Sequence, residues 1–193
     1  MTSITSTLSE ATQERLKTAY TETELICPQC KAKWSPAVAN FVNFETDPKG
    51  REGILRNAMH HAYCPACRYH LEIDHIFSVY IPEENIVVQV RPTWEFKAAG
   101  GEDGYWTRVE WLVEKHATDD VRVDVVFGFK ELIDKYLGGD EASEAAIARA
   151  AQEREQKLAS GDLAPGVAPA TSGLAAADDA ETDADEGNGS SIA

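Results

Sequence analysis

Cys27-Pro28-Gln29-Cys30 and Cys64-Pro65-Ala66-Cys67 decide how this chain is read, because these two matching motifs hold all four of its cysteines. Between them lie Lys31 to Tyr63, 33 residues, enough for a strand and a helix. A Cys-x-x-Cys turn presents two thiolates to one metal ion, and two such turns complete a tetrahedron. Zinc suits four thiolates because it is redox-inert and has no geometric preference from d electrons. The spacing therefore predicts one Zn2+ per chain, held by Cys27, Cys30, Cys64 and Cys67, with iron as the lesser choice. Four thiolates leave no open coordination position, so metal catalysis is not expected. Pro28 and Pro65 fix φ after the first cysteine of each pair and remove one N–H. Lys31 and Arg68 follow the second cysteines, where their charge offsets part of the negative charge of the site.

Working outward, Leu25-Ile26 reads as a short strand entering the first motif. Lys33 to Phe44 reads as extended, with Pro36 marking an edge or an irregularity. Asp47-Pro48 opens a helix, since Asp caps free N–H groups and Pro suits the first helical position. Ile54, Leu55 and Met59 carry that helix to about His60. After the second motif Tyr69, Leu71 and Ile73 alternate with polar residues, and the alternation runs on through Phe77, Val79 and Ile81, a strand signature. Pro82 to Asn85 is a turn and Ile86 to Val90 the return strand of a hairpin. Lys97 to Gly104 reads as a flexible loop. Val109, Trp111 and Val113 alternate again, as do Val121, Val123 and Val125. Phe129 to Leu137 and Asp140 to about Leu158 read as helices. The expected fold is α+β: a zinc-ribbon-like pair of knuckles, antiparallel hairpins and C-terminal helices. Residues 1–20 are expected to be poorly ordered or a short helix, 21–159 the zinc-binding domain, and 160–193 a disordered acidic tail.

Composition supports that division. The chain of 193 residues has a formal net charge of −15. From Ser160 to Ala193 there are seven acids and neither Lys nor Arg nor any aromatic residue. Such a segment cannot bury enough surface to offset its ordering entropy. Net charge disfavours non-specific binding to a nucleic acid duplex, which depends on phosphate neutralisation. Around the cysteines the balance is close to neutral, with six basic and seven acidic residues from Glu22 to Asp74, so a local anionic partner is not excluded. No apolar run is long enough to span a bilayer, and Met1 to Lys17 lacks the pattern of a secretory leader. The expected location is cytoplasmic, where paired cysteines favour metal or redox roles over structural disulfides.

His60, His61 and His70 flank the second motif and are read as hydrogen-bonded or solvated rather than as ligands. His75 is read as packing within a strand, and His116 carries no signal. Trp34, Trp94, Trp106 and Trp111 are read as core. No phosphate loop, nucleophile triad or paired-carboxylate pattern stands out.

These residues resemble the CpXC domain family, named for two Cys-Pro-x-Cys motifs. Asn43-Phe44-Glu45-Thr46-Asp47-Pro48, followed by Arg51 and Leu55, is similar to the family's strand-to-helix segment. Tyr69 to Pro92 is similar to its hairpin, and Val125 to Lys135 to one of its helices. The resemblance spans about Thr21 to Arg149. It implies metal binding by the four cysteines and no known reaction, since the family's function is uncharacterised. The expected function is a metal-stabilised module that binds another protein; the alternative is a thiol and zinc redox switch.

Overall fold

The computed structural model describes residues 8–98, 100–116 and 120–161. Helix α1 (Glu10–Arg15) is capped by Ser9, whose hydroxyl accepts from the Thr12 amide. Strand β1 (Ala19–Glu22) follows. A small hairpin, β2 (Leu25–Ile26) and β3 (Lys33–Trp34), carries the first motif. Pro36 then separates β3 from β4 (Ala37–Asn43), as its position in the extended run suggested. Helix α2 (Pro48–Leu55) begins where Asp47-Pro48 predicts: Asp47 Oδ1 accepts from the Gly50 amide at 2.9 Å. Gly50 is required there, because a Cβ would lie 2.5 Å from Val42 Cγ1. The helix ends earlier than expected. Asn57 (φ 48°) and His60 (φ 59°) adopt left-handed conformations that no helix continues through.

The alternation from Tyr69 to Ile81 is two strands rather than one. β5 (His61–Tyr63) and β6 (His70–Glu72) form the hairpin of the second motif. β7 (Phe77–Ile81) belongs to the main sheet, where it pairs antiparallel with β8 (Ile86–Arg91) across the expected turn. The expected loop at Lys97 to Gly104 is mostly helical: α3 (Thr93–Ala98) is followed by α4 (Glu102–His116). The alternating Val109, Trp111 and Val113 therefore lie on a helix. The operative spacing is Tyr105, Val109 and Leu112, at i, i+4 and i+7, which packs on β9 (Arg122–Phe127). Helices α5 (Phe129–Tyr136) and α6 (Gly139–Ser160) complete the fold.

The main sheet has the order β1-β4-β7-β8-β9. Alongside the expected antiparallel pairs it contains two parallel ones, β4 with β7 and β8 with β9. Each parallel pair needs a long crossover; α2 with the β5–β6 hairpin supplies the first, and α3 with α4 the second. On one face Val79, Ile81, Val88, Val90 and Val126 pack beneath Ile54, Leu132, Ile133 and Ala146 of α2, α5 and α6, forming the principal core. On the other face α1 and α4 cover smaller clusters centred on Tyr80 and Val125. Asn43, only 4 % exposed, ties α1 to the sheet: its Nδ2 donates to the Leu16 carbonyl, and Thr18 Oγ1 accepts from its amide. The molecule is α+β, as expected. The expected acidic tail lies outside the described residues, apart from Ser160 and Gly161.

Candidate metal centre

The two cysteine motifs fold into the same structure. In the first, the Cys27 amide donates to the Ala32 carbonyl at 2.9 Å and the Lys31 amide to the Cys27 carbonyl at 2.9 Å. In the second, the Cys64 amide donates to the Tyr69 carbonyl at 2.8 Å and the Arg68 amide to the Cys64 carbonyl at 2.8 Å. Lys31 and Arg68 stand at φ 64° and 62°, the left-handed conformation for which glycine is the usual residue. The knuckle thus forms without glycine at either site. Short hairpins hold both turns. Leu25 and Ile26 pair with Trp34 and Lys33; His61, Ala62 and Tyr63 pair with Glu72, Leu71 and His70.

This pairing faces one motif against the other. All four Sγ atoms lie within 4.8 Å of one another. The nearest approaches cross between motifs: Cys27 to Cys67 and Cys30 to Cys64, each 3.5 Å. A disulfide would need about 2.05 Å, so the thiols are separate. A tetrahedron with Zn–S bonds of about 2.3 Å has S–S edges of about 3.8 Å, within the range seen here. Cys27 and Cys64 are buried, Cys67 is half-buried and Cys30 exposed. Burial raises the Cys27 thiol, but the amides of Cys30 and Gln29 and the thiols of Cys67 and Cys30 together outweigh it and bring Cys27 down to about 7. At Cys67 the Tyr69 amide acts downward, yet burial and the three neighbouring thiols push it up to about 12. Cys27 is thus drawn toward the thiolate while Cys67 holds its proton.

The flanking histidines stay out of the sulfur cluster. His60 is 6 % exposed and bonds through Nε2 to the Ala39 carbonyl at 3.2 Å. His61 Nδ1 and His70 Nε2 bond to each other at 2.8 Å, and His75 Nε2 bonds to Asn40. The His116 side chain lies outside the described residues. The expectation of buried tryptophans fails. Trp94, Trp106 and Trp111 are 56 %, 54 % and 47 % exposed, and Trp34 beside the first knuckle is half-buried. The first three lie on α3 and α4, whose inner faces are taken by Phe96, Tyr105, Val109 and Leu112. Three exposed apolar groups, Ile26, Tyr63 and Tyr69, lie beside the knuckles; the sequence points to Tyr69 near the cysteines but does not single out Ile26 or Tyr63. Tyr63 also takes the Arg68 guanidinium over its ring at 5.9 Å. Their only sequence signal is an apolar residue adjoining each motif.

An α+β sheet protein with two four-residue cysteine turns facing one another is a candidate small metalloprotein. The family profile described as CpXC protein matches residues 25–147, and the chain belongs to that family. No curated protein and no solved structure matches the chain. Among the described residues no helix is long and apolar enough to cross a membrane.

Proposed function

We propose that Cys27, Cys30, Cys64 and Cys67 hold one structural Zn2+, in the manner of a zinc ribbon, and that the protein is a cytoplasmic module that binds another protein. The observation that carries the metal assignment is the pair of turns with matching hydrogen bonds and their four sulfurs gathered within 4.8 Å. Bound there, zinc would pin the two hairpins to each other. Four thiolates fill its tetrahedron, so action falls to the surrounding side chains rather than to chemistry at the metal. Ile26, Trp34, Tyr63, Arg68 and Tyr69 border the knuckles. Aromatic and arginine side chains are enriched in protein interfaces, and the net charge of −15 favours protein over nucleic acid.

Elemental analysis of purified protein should give one zinc per chain, lost when Cys64 and Cys67 are both replaced by Ser. Zinc content unaffected by that change would refute the assignment. For the surface, a folded, zinc-loaded Trp34→Ala, Arg68→Ala variant should lose its captured partner; unchanged capture would discard this face.

The redox reading has its own support in the cross-motif approaches of 3.5 Å and the exposure of Cys30. Two equivalents of hydrogen peroxide, each taking two electrons from one facing pair and leaving as water, would form the Cys27–Cys67 and Cys30–Cys64 disulfides and free a bound zinc. Zinc release at low peroxide dose, with partner binding gained after oxidation and lost on reduction, would favour the switch.

A further inference from the structure

The second face of the sheet is covered unevenly. α1 lies over one side and α4 over the other, and between them a cavity of about 320 Å3 opens above the central strands. This is at the low end of small-molecule pockets, which run from roughly 300 to 1,000 Å3. Its walls are apolar: Phe41, Val87, Leu112, Val121 and Val123. Its polar groups are few. Ser78 and Gln89 are cross-strand neighbours on β7 and β8 and lie on the floor. Gln89 Oε1 is taken by Arg91 Nη1, which leaves the Gln89 amide NH2 to donate. Ser78 Oγ has no hydrogen-bond partner among the described residues. Arg15, in the last turn of α1, lines the mouth and enters no ion pair among them. The remaining hydroxyl, Thr12 Oγ1, is engaged with Ser9 and Asp120. No acidic side chain is among the lining residues.

We infer that this cavity binds a small amphipathic carboxylate, an apolar body with an acceptor-only anionic head. The apolar walls take the body. The Ser78 hydroxyl and the Gln89 NH2 can each donate to a carboxylate, and the Arg15 charge attracts an anionic head and repels a cationic one. The selectivity comes from the charge of Arg15 beside two half-buried donors, since hydrogen bonds between charged groups are the stronger ones. In a chain this acidic, a single unpaired arginine at the mouth also orients the incoming ligand. The site is separate from the cysteine cluster and independent of the metal assignment.

The test is an NMR titration of the full-length, zinc-loaded protein with octanoate and, in parallel, octan-1-ol. Octanoate should give saturable shifts at the Val87 and Leu112 amides and the Gln89 side-chain NH2. Octan-1-ol should bind at least about tenfold more weakly, the order expected for losing a charge-assisted bond. Arg15→Glu, on an exposed helical position, should weaken octanoate by about tenfold or more at an unchanged melting temperature. Ser78→Leu, which fills the floor, should abolish the shifts. Should the Leu variant not fold, Arg15→Glu decides alone. Equal affinity for acid and alcohol, octanoate binding undiminished by Arg15→Glu, or no saturable shifts at these residues would overturn the inference.

Discussion

Lys31 and Arg68 carry the same burden at equivalent places. A non-glycine residue in the left-handed region costs roughly 1–2 kcal/mol, and each knuckle bears that cost once. Lys31→Gly and Arg68→Gly should therefore each leave the zinc-loaded fold intact and stabilise it by up to about 1 kcal/mol, part of the gain being offset by the entropy of glycine in the unfolded chain. Denaturant unfolding of the loaded protein checks this; a loss above about 1 kcal/mol would mean that the two cations help hold the site. His60 is the other residue with a defined energetic signature. Burial chiefly, and the neighbouring His75, lower it from the usual 6.5 to about 4. The unfolded chain then binds the proton more readily, so His60 contributes stability above pH 6.5 that is lost as pH falls toward 4. Between pH 7 and 5 that loss amounts to about 2 kcal/mol. His60→Asn, which tolerates positive φ, should have a shallower loss of stability over that interval. Parallel slopes for the two proteins would show that His60 is not the titrating group.

At the scale of elements, the cysteine motifs, the Asp47-Pro48 helix start and the β7–β8 hairpin were legible because each is set by neighbours in sequence: a thiolate pair, a cap, a turn. The α4 helix was not. Gly100 and Gly101 before it and Gly104 within it read as a loop, and Val109, Trp111 and Val113 fit a two-residue period as readily as Tyr105, Val109 and Leu112 fit a helical one. Contact with β9 selects the second. The exposed tryptophans follow from the same choice. The two knuckle hairpins contribute little to the main core, to which Cys27, Cys64 and the β2, β3 and β6 strands do not belong. Two-stranded hairpins of two or three residues are not stable alone. If the cysteines hold the proposed metal, chelating it should therefore raise amide exchange sharply at Ile26 to Lys33 and His61 to Glu72, while the β4, β7 and β8 amides stay protected. Exchange rising equally across the main sheet would show that the centre supports the whole fold.

For the whole molecule, the boundary proposed near residue 160 rests on composition, while packing of α6 on the domain ends sooner. Ala142 and Ala146 pack on the core, Ser143 donates to the Leu55 carbonyl and Arg149 pairs with Glu52, but from Ala151 to Ser160 every residue is exposed. Ending the chain after Ala150 should shift the melting temperature by less than about 3 °C, as removal of surface without buried contacts costs little. A larger fall in a thermal melt would place part of the removed segment against the domain. What no local pattern revealed was the parallel pairing, since β4 meets β7 only after α2 and the second motif have intervened.

That interruption bears on how quickly the chain finds its fold. The cysteine pairs bracket β4 and α2, so a metal ion caught early by the unfolded chain would shorten the loop that must close before β4 and β7 can pair. Pairing of distant strands is slow because loop closure precedes any reward. Refolding begun with stoichiometric Zn2+ should therefore outpace refolding in chelator followed by Zn2+, a difference that stopped-flow fluorescence of the tryptophans would time. In the cell, metal supply would then set the rate at which new chains mature as well as the stability of finished ones.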